Sequence, residues 1–274
     1  MSGTALAFSL PRAPGSLPSQ ARAIAFPLVG MGAGLLVWWS LTTPWLHAGA
    51  MVTAFSPEKT ARSLGTLIAN GGLVPHLVAS LRRVLVGLGV ALVAGLPLGV
   101  AIGSSRGLES STTFLFQILR MISPLSWMPL AVMAFGIGDQ PVYFLLAVGA
   151  VWPILLNTAA GVHAVDRQWI RLARSLCASR AETIRLVVLP AIAPQVLTGL
   201  RLALGIVWIL LVPAEMLGVN SGLGYFILDT RDRLAYSELM AAILVIGLVG
   251  FTLDSTIRAL IRYLVHEVRE DSHV

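Results

Sequence analysis

Charged side chains are scarce in this sequence. Asp, Glu, Lys and Arg make up 12% of 274 residues, whereas 56% of the residues are apolar. Because soluble domains carry about 25% charged residues, this composition excludes an ordinary soluble fold. Lysine occurs once, at Lys59, and arginine supplies the other cations of a chain with a net charge of +6. The composition predicts an all-α membrane protein.

Cysteine is nearly absent too. Cys177 is the single cysteine, so a disulfide within the chain is excluded. We interpret Cys177 as a small buried residue rather than as a reactive thiol.

The residues of common catalytic motifs are also missing. The sequence has no G-x-x-x-x-G-K-[ST] phosphate loop, which excludes an ATP site of the P-loop type. All five histidines are predicted at or beyond the ends of the apolar segments: His47, His76, His163, His266 and His273. A metal site or a Ser/His hydrolase inside the membrane therefore has no candidate histidine. We expect no catalytic residue, no metal and no cofactor bound by this chain.

Long apolar segments predict six transmembrane helices, since the ~30 Å hydrocarbon core requires about 20 residues per helix. Their approximate ranges are 24–43, 81–104, 111–135, 142–162, 191–217, and 239 to beyond 254. Glycines in the second range predict close helix packing. Arg120, Pro124 and Pro129 predict a kink in the third.

The remaining segments are polar or short. Residues 1–22 are predicted to be a disordered cytoplasmic tail, 23–265 the transmembrane domain and 266–274 a charged cytoplasmic tail. Residues 44–80 and 221–236 are predicted to lie outside, the former with one short helix. Six spans place both termini on one side of the membrane.

The polar stretch between the fourth and fifth spans is rich in arginine. Trp169, Leu172, Ala173 and Leu176 recur at i, i+3, i+4 and i+7, which predicts a short amphipathic helix. Ser179 and Glu182 match the S-x-x-E capping box, so a second helix is expected from about residue 180 to a point before Pro190. Two short helices joined by a tight turn form a docking surface for a soluble partner.

Other interpretations compete with docking. A helix pair lying on anionic lipid headgroups fits the pattern equally well, and this alternative stays open. A helix-turn-helix DNA reader needs freedom to enter a groove, which a segment tethered at both ends lacks. A voltage sensor needs its arginines inside an apolar span, whereas these arginines lie between spans.

Arginine placement predicts the orientation of the chain. With the termini inside, this stretch adds five arginines to the cytoplasmic side: Arg167, Arg171, Arg174, Arg180 and Arg185. The external loops hold fewer basic residues, so the positive-inside rule favours a cytoplasmic location for the stretch.

The spacing of this stretch resembles the signature loop of binding-protein-dependent ABC importer permeases, E-A-A, three residues, G, nine residues, I-x-L-P. The matching positions are Arg171, Leu172 and Ala173, then Cys177, then Val187, Leu189 and Pro190. The Glu and Gly are replaced here. A non-glycine at a left-handed turn costs roughly 1 kcal/mol, so Cys177 implies either strain or a differently built turn.

Three longer segments resemble the nitrate/sulfonate/taurine branch of that family, which has the MetI-like fold. They are ISPLSWMPLAVMAFGIG, SLCASRAETIRLVVLPAIAPQVLTGLRLALG and AEMLGVNSGLGY. The resemblance extends from about Ser80 to the C-terminus.

The resemblance implies a permease subunit in the bacterial cytoplasmic (inner) membrane. Its implied partners are a second copy of itself, two cytoplasmic ATPase subunits that bind ATP and Mg, and an extracytoplasmic solute-binding protein; nucleic acid is not among them. The loop at 163–190 would form coupling helices between spans four and five that dock on the ATPase. Its coupling residues would be Trp169, Arg171, Leu172, Ala173, Leu176, Cys177, Ser179, Glu182, Leu189 and Pro190.

The implied cargo is a small anion such as nitrate, an alkanesulfonate, taurine or bicarbonate. Charged residues inside spans are candidates for its pathway, because a charge within the bilayer is energetically costly unless it faces a cavity or a partner. The candidates are Arg120, Arg201 and Glu215, with Ser123, Trp127, Asn157 and Trp208 as weaker ones. Pathway lining and structural pairing stay equally open for Arg120; for Arg201 we favour pairing with another helix or snorkelling. Glu215 is interpreted as a gate or a capping group.

A self-sufficient secondary transporter or channel is the alternative function. Such a protein would normally show an inverted repeat or a coupling carboxylate in the membrane. We find no repeat, and Glu215 is the only plausible coupling carboxylate.

Overall fold

The computed structural model describes residues 19–42 and 50–270, and in this part of the chain all regular structure is helical. The helices are α1 Ser19–Thr42, α2 Ala50–Ala54, α3 Pro57–Ala69, α4 Val74–Ser104, α5 Arg106–Leu119, a 3₁₀ turn Pro124–Trp127, α6 Met128–Phe135, α7 Asp139–Ala164, α8 Arg167–Ser175, α9 Arg180–Thr183, a π turn Ile184–Val188, α10 Leu189–Met216, α11 Leu223–Asp232 and α12 Tyr236–Glu270. They belong to two compact units, divided after Thr60.

The first unit contains α1, α2 and the start of α3. The indole N–H of Trp38 in α1 donates to the carbonyl of Phe55 at 3.0 Å, just after α2. Ser56 precedes Pro57, the first residue of α3, and the Ser56 hydroxyl accepts from the backbone N–H of Lys59 at 3.4 Å. The predicted first span falls on α1, whose apolar part is Leu28–Thr42.

In the described residues, four helices are long and apolar enough to cross a membrane: Val74–Ser104, Asp139–Ala164, Arg180–Met216 and Tyr236–Tyr263. A fifth crossing is counted if α5 and the Pro124–Phe135 segment form one span, although they meet at an angle of 84°. This bend lies where Arg120, Pro124 and Pro129 predicted a kink. The structure therefore shows an all-helical protein with four or five candidate spans where the sequence predicted six.

Helix α4 begins at Val74, earlier than predicted. Asn70, Gly71 and Gly72 do end α3, and Gly71 has a left-handed φ of 65°. Pro75, however, occupies the first turn of α4, where its missing N–H needs no partner. We had predicted residues 74–80 as part of the external segment 44–80. They instead form the start of α4.

Helices α4, α7 and α10 form the centre of the second unit and share one apolar core, which includes Val84, Leu146 and Val207. Gly99 of α4 lies so close to α7 that a Cβ there would sit 2.7 Å from the carbonyl oxygen of Leu155. In lipid, apolar side chains gain little by meeting one another, so close backbone contact is a main source of helix association. Gly89 faces open space instead.

The second of the two short helices, which begins near residue 180, was predicted to end before Pro190. The structure corrects this prediction, because the helix continues past Pro190. A π turn joins α9 to α10, and the N–H of Leu189 donates to the carbonyl of Ile184, five residues back. The wider turn accommodates Pro190 without ending the helix, because proline conflicts with the ordinary i to i−4 pattern. The result is one helical run, Arg180–Met216.

The segment predicted as a polar external loop, 221–236, also folds into a helix. Leu223, Phe226 and Thr230 of α11 are buried, at i, i+3 and i+7. Leu223 and Phe226 pack in a cluster with Leu73 and Ala242. The apolar positions have helical spacing that the charged residues at 231–233 obscured.

The predicted tails lie only partly within the described residues. Residues 1–18 of the predicted N-terminal tail and 271–274 of the predicted C-terminal tail lie outside the described residues. Residues 266–270 continue α12.

We predict that Gly99→Ala destabilises the protein by about 1–3 kcal/mol, because the new methyl group would overlap Leu155 and Thr158, the latter at 2.6 Å. Gly89→Ala, in the same helix, should leave stability unchanged or raise it by about 0.5–1 kcal/mol. Thermal unfolding in detergent measures both. Equal effects of the two substitutions would contradict the close α4–α7 contact.

Candidate functional site

The hairpin between α7 and α10 is built from local capping interactions. The carboxylate of Asp166 accepts from the backbone N–H of Gln168 at 2.8 Å and starts α8. Ser179 and Glu182 form both bonds of the predicted capping box: the Ser179 N–H donates to Glu182 at 2.7 Å, and the Glu182 N–H donates to the Ser179 hydroxyl at 3.2 Å. These caps fix two helical segments on either side of a tight turn.

The apolar stripe of α8 divides into two parts. Trp169, Leu172 and Leu176 are 61%, 51% and 74% exposed, whereas Ala173 is 7% exposed and faces the protein's own interior. We call Trp169, Leu172 and Leu176 the docking face. The predicted stripe is therefore real, but Ala173 is not accessible to a partner in this structure.

The turn that ends α8 is left-handed at Cys177, which has a φ of 57°. The N–H of Ala178 donates to the carbonyl of Ala173 and the N–H of Cys177 to that of Arg174, both at 3.0 Å. This is the Schellman pattern, in which glycine is usual because a Cβ is strained there. Cys177 is exposed, so its interpretation as a buried residue is wrong.

The base of the hairpin is anchored in the protein. Val188 is buried with Ile192 and with Val100 of α4, and Leu189 packs at the edge of this cluster. Pro190 is exposed. Since α9, the π turn and α10 are continuous, nothing flexible separates the hairpin from α10.

Arg120 and Ser123 meet at the bend between α5 and α6. Arg120 ends α5 with an exposed side chain, and Ser123 precedes the 3₁₀ turn. A cavity of about 540 Å³ lies beside this bend, lined by Phe114, Gln117, Ile118, Met121 and Ile122. Arg120 and Ser123 are three residues apart in the sequence, and neither is among the residues that line this cavity.

The other three weaker candidates take part in helix packing. Trp127 and Trp208 pack against the central core. Asn157 donates to the carbonyl of Pro153 at 2.8 Å and lies beside Gly199 of α10. The three do not form a common polar site with one another.

Arg201 pairs with another helix, the arrangement we favoured. Its Nε lies 3.1 Å from a carboxylate oxygen of Asp254 in α12. Asp254 also pairs with Arg258 at 3.1 Å, one turn along the same helix.

Glu215 lies in a buried ion network. Its carboxylate is 2.6 Å from a guanidinium nitrogen of Arg83, and it accepts from the Ser80 hydroxyl at 2.8 Å. Arg83 is only 1% exposed and pairs at 2.6 Å with Asp139, the first residue of α7. The carbonyl of Ser221 accepts from Arg83 at 2.7 Å. One guanidinium thus links α4, α7, α10 and the start of α11.

The same network caps α11. The first backbone N–H groups of that helix donate to side chains of α4 and α10: Gly222 to His76, Leu223 to Ser80 and Gly224 to Glu215. A helix N-terminus has unpaired N–H groups and a partial positive charge, so a carboxylate is well placed there. The geometry of Glu215 is that of a capping group.

Sequence reasoning missed most members of this network. His76, Ser80 and Arg83 fall at i, i+4 and i+7, which places them on one face of α4. That polar stripe at the start of an apolar helix was a usable signal, hidden because the helix was predicted to begin at Leu81. Asp139 lies between the ranges predicted for the third and fourth spans and was not identified as a candidate. In the described part of the chain, no group of His, Cys, Asp and Glu side chains is arranged to hold a metal ion.

We predict that Arg83→Met destabilises the protein by about 3–5 kcal/mol, because Glu215 would keep a buried charge without a partner. Arg82→Met is the matched control, since Arg82 also pairs with Asp139 but is 58% exposed. An exposed ion pair contributes less than about 1 kcal/mol. Thermal unfolding of both variants decides the matter, and similar losses would contradict a central role for the network.

We also predict that Cys177→Gly stabilises the protein by about 1 kcal/mol, because glycine adopts a left-handed φ without strain. Cys177→Ala keeps a Cβ and serves as the control for loss of the thiol. The midpoints of thermal unfolding should rank Gly above Ala. A midpoint for Cys177→Ala that equals or exceeds the midpoint for Cys177→Gly would contradict backbone strain at this position.

Comparison with known proteins gives the context of this geometry. The family model "Binding-protein-dependent transport system inner membrane component" matches residues 92–270. The chain is 35% identical to the bicarbonate transport system permease protein CmpB of Synechococcus elongatus, over 89% of this chain and 91% of CmpB.

Two other relatives are similarly close. The nitrate import permease protein NrtB of Leptolyngbya laminosa is 39% identical over 68% of this chain and 67% of NrtB. The taurine transport system permease protein TauC of Escherichia coli is 34% identical over 84% of this chain and 85% of TauC.

Among solved structures, the inward-facing MetNI methionine ABC transporter contains a chain with the same fold. The TM-score is 0.57 at 20% identity, over 70% of this chain and 95% of the MetNI chain. The resemblance seen in the sequence is thus confirmed, and the alternative of a self-sufficient secondary transporter is set aside. With the hairpin, Asp139 and Glu215 all inside the matched region, the chain belongs to the family of binding-protein-dependent transport system inner membrane components, as the permease subunit of an ABC importer.

Proposed function

We propose that this permease works as a homodimer in the bacterial cytoplasmic membrane, with the hairpin and both termini in the cytoplasm. Each hairpin binds one cytoplasmic ATPase subunit, and a solute-binding protein delivers a small anion from outside. The observation that carries this proposal is the docking face, Trp169, Leu172 and Leu176, which is apolar and exposed on a helix whose other exposed side chains include Arg167, Arg171 and Arg174.

The length of the helical run supports a protein partner over a lipid surface. Arg180–Met216 has 37 residues, which span about 55 Å at 1.5 Å per residue. The hydrocarbon core is only ~30 Å thick, and the whole bilayer with its headgroups about 40–45 Å. The run is therefore about 10 Å longer than the whole bilayer is thick, and we place this excess at the hairpin end, where a protein surface would cover the exposed tryptophan and two leucines.

Continuity between the hairpin and α10 supplies the mechanism. When ATP binding closes the two ATPase subunits, the two hairpins move toward each other. Because α9, the π turn and α10 form one run, this displacement tilts α10 directly. The pathway between the two copies then changes from inward-open to outward-open, as in other alternating-access transporters.

The bend between α5 and α6 is the proposed wall of that pathway. Arg120 is exposed there and forms no ion pair within the described residues, and a charge at membrane depth needs a cavity or a partner. Met121, Met133 and Ile137 are exposed near the same bend, which suits a face covered by the second copy. Arg120 and Ser123 are exposed at this bend and adjoin Met121 and Ile122 in the sequence, two of the residues that line the cavity beside α5.

The cargo is proposed from the relatives and from this charge. The named relatives are described as permeases for bicarbonate, nitrate and taurine, whose negatively charged groups all present oxygen atoms to a cation. An unpaired arginine suits such a group. Choice among these anions rests with the solute-binding protein, since identities of 34–39% to all three do not distinguish them.

We predict that Leu172→Asp combined with Leu176→Asp releases the ATPase from the purified complex, because two charges would be buried in an apolar interface. Co-purification of the ATPase with the permease measures binding, and ATP-driven uptake in proteoliposomes should fall in parallel. Both side chains are exposed in the single chain, so its thermal unfolding should be unchanged.

The matched control replaces Arg167 and Arg174 with glutamine, on the opposite face of α8. It alters the net charge by the same amount, and both arginines are exposed. The control complex should keep its ATPase. Undiminished co-purification with the Leu172/Leu176 variant, or equal loss in both, would refute the docking face.

A further inference from the structure

A second cavity lies against α10 and α12, on the part of these helices nearest the hairpin. Its volume is about 500 Å³, and it is lined by Arg201, Ser255, Arg258, Ile261 and Arg262. The docking face and the ion network do not include these residues.

The charges around this cavity do not balance. Asp254 pairs with Arg201 and with Arg258, both at 3.1 Å. Arg262 forms no ion pair with the side chains that the structure describes, which end at Tyr263. Among these side chains, three guanidinium groups face one carboxylate, an excess of two positive charges on helices that are otherwise apolar enough to cross a membrane. Such an excess requires an anion.

The depth of the cavity indicates where that anion comes from. Arg201 lies about 18 Å along α10 from Leu189, and Asp254 lies about 27 Å along α12 from Tyr236. Arg262 is about 12 Å further along α12 and next to exposed Tyr263, an aromatic type common at the membrane interface. The cavity therefore extends from within the membrane to the headgroup level on the hairpin side.

We propose that this cavity binds the phosphate of an anionic phospholipid from the hairpin-side leaflet. Guanidinium groups bind phosphate with two parallel hydrogen bonds, and basic pockets between transmembrane helices bind anionic headgroups. The Ser255 oxygen accepts from Arg258 at 2.9 Å, which leaves its hydroxyl hydrogen available for a phosphate oxygen. Ile261 lines the cavity and Leu260 is exposed beside it, so acyl chains have an apolar surface to follow.

The test uses the full-length chain in detergent, titrated with phosphatidylglycerol or phosphatidylcholine and examined by native mass spectrometry. The wild type should retain phosphatidylglycerol in preference to phosphatidylcholine. Arg262→Gln should weaken this binding about fivefold, and Arg258→Gln combined with it by about fivefold more. Arg262 is exposed and forms no ion pair with the described side chains, so that variant should fold normally.

The matched control is Arg106→Gln. Arg106 is exposed at the start of α5, directly after the end of α4 that packs near Val188, and does not line the cavity. Its loss should not change lipid retention. Equal retention by Arg258→Gln/Arg262→Gln and by Arg106→Gln would overturn the proposal.

A free anion is the other source of the same chemistry. Inorganic phosphate and nitrate, added at concentrations equal to that of the lipid, should not displace phosphatidylglycerol from the wild type. Displacement at equal concentration would overturn the lipid assignment and place the cavity on the route of a soluble anion. Both readouts concern the permease chain alone, so they are independent of its coupling to an ATPase.

Discussion

The buried guanidinium of Arg83 is the interaction on which the second unit depends. Taking such a charge out of water costs several kcal/mol, and this cost is offset only when every donor finds a good partner. Glu215, Asp139 and the carbonyl of Ser221 provide those partners from three different segments. Because apolar contact gives little drive for helix association in lipid, this polar linkage and the close glycine contacts of α4 determine how the helices assemble.

Helix α10 connects this network with the hairpin. Glu215 is held near one end of the helical run, whereas the other end continues through the π turn into the capping box of Ser179 and Glu182. A rigid helix that is held at one end and displaced at the other tilts about the held end. The proposed coupling thus needs no hinge inside α10, and the largest movement falls on the hairpin half, where Arg201 pairs with Asp254 of α12.

The sequence predicted the hairpin well and the network poorly, for a physical reason. A capping box and an amphipathic stripe are local, with every partner within four residues, so both are visible in a linear chain. The partners of Arg83 are 56 and 132 residues away, and no local pattern encodes such pairs. Residues 44–80 were predicted as one external segment. This prediction moved the expected start of α4 to Leu81 and hid the polar face of that helix. Cys177 was misjudged because cysteine is usually buried, whereas here it occupies an exposed turn.

The separation of these features explains how one scaffold serves different cargoes. A fold does not specify a substrate; the residues of its site do. The network lies at one end of α10 and the hairpin at the other, and neither includes the bend at Arg120. Trp127 and Met128 pack in the central core, so only the exposed residues of the bend, such as Arg120 and Ser123, can vary without disturbing that packing. Relatives named for bicarbonate, nitrate and taurine match this chain at similar identities, 34–39%, so overall similarity does not follow the cargo in their names.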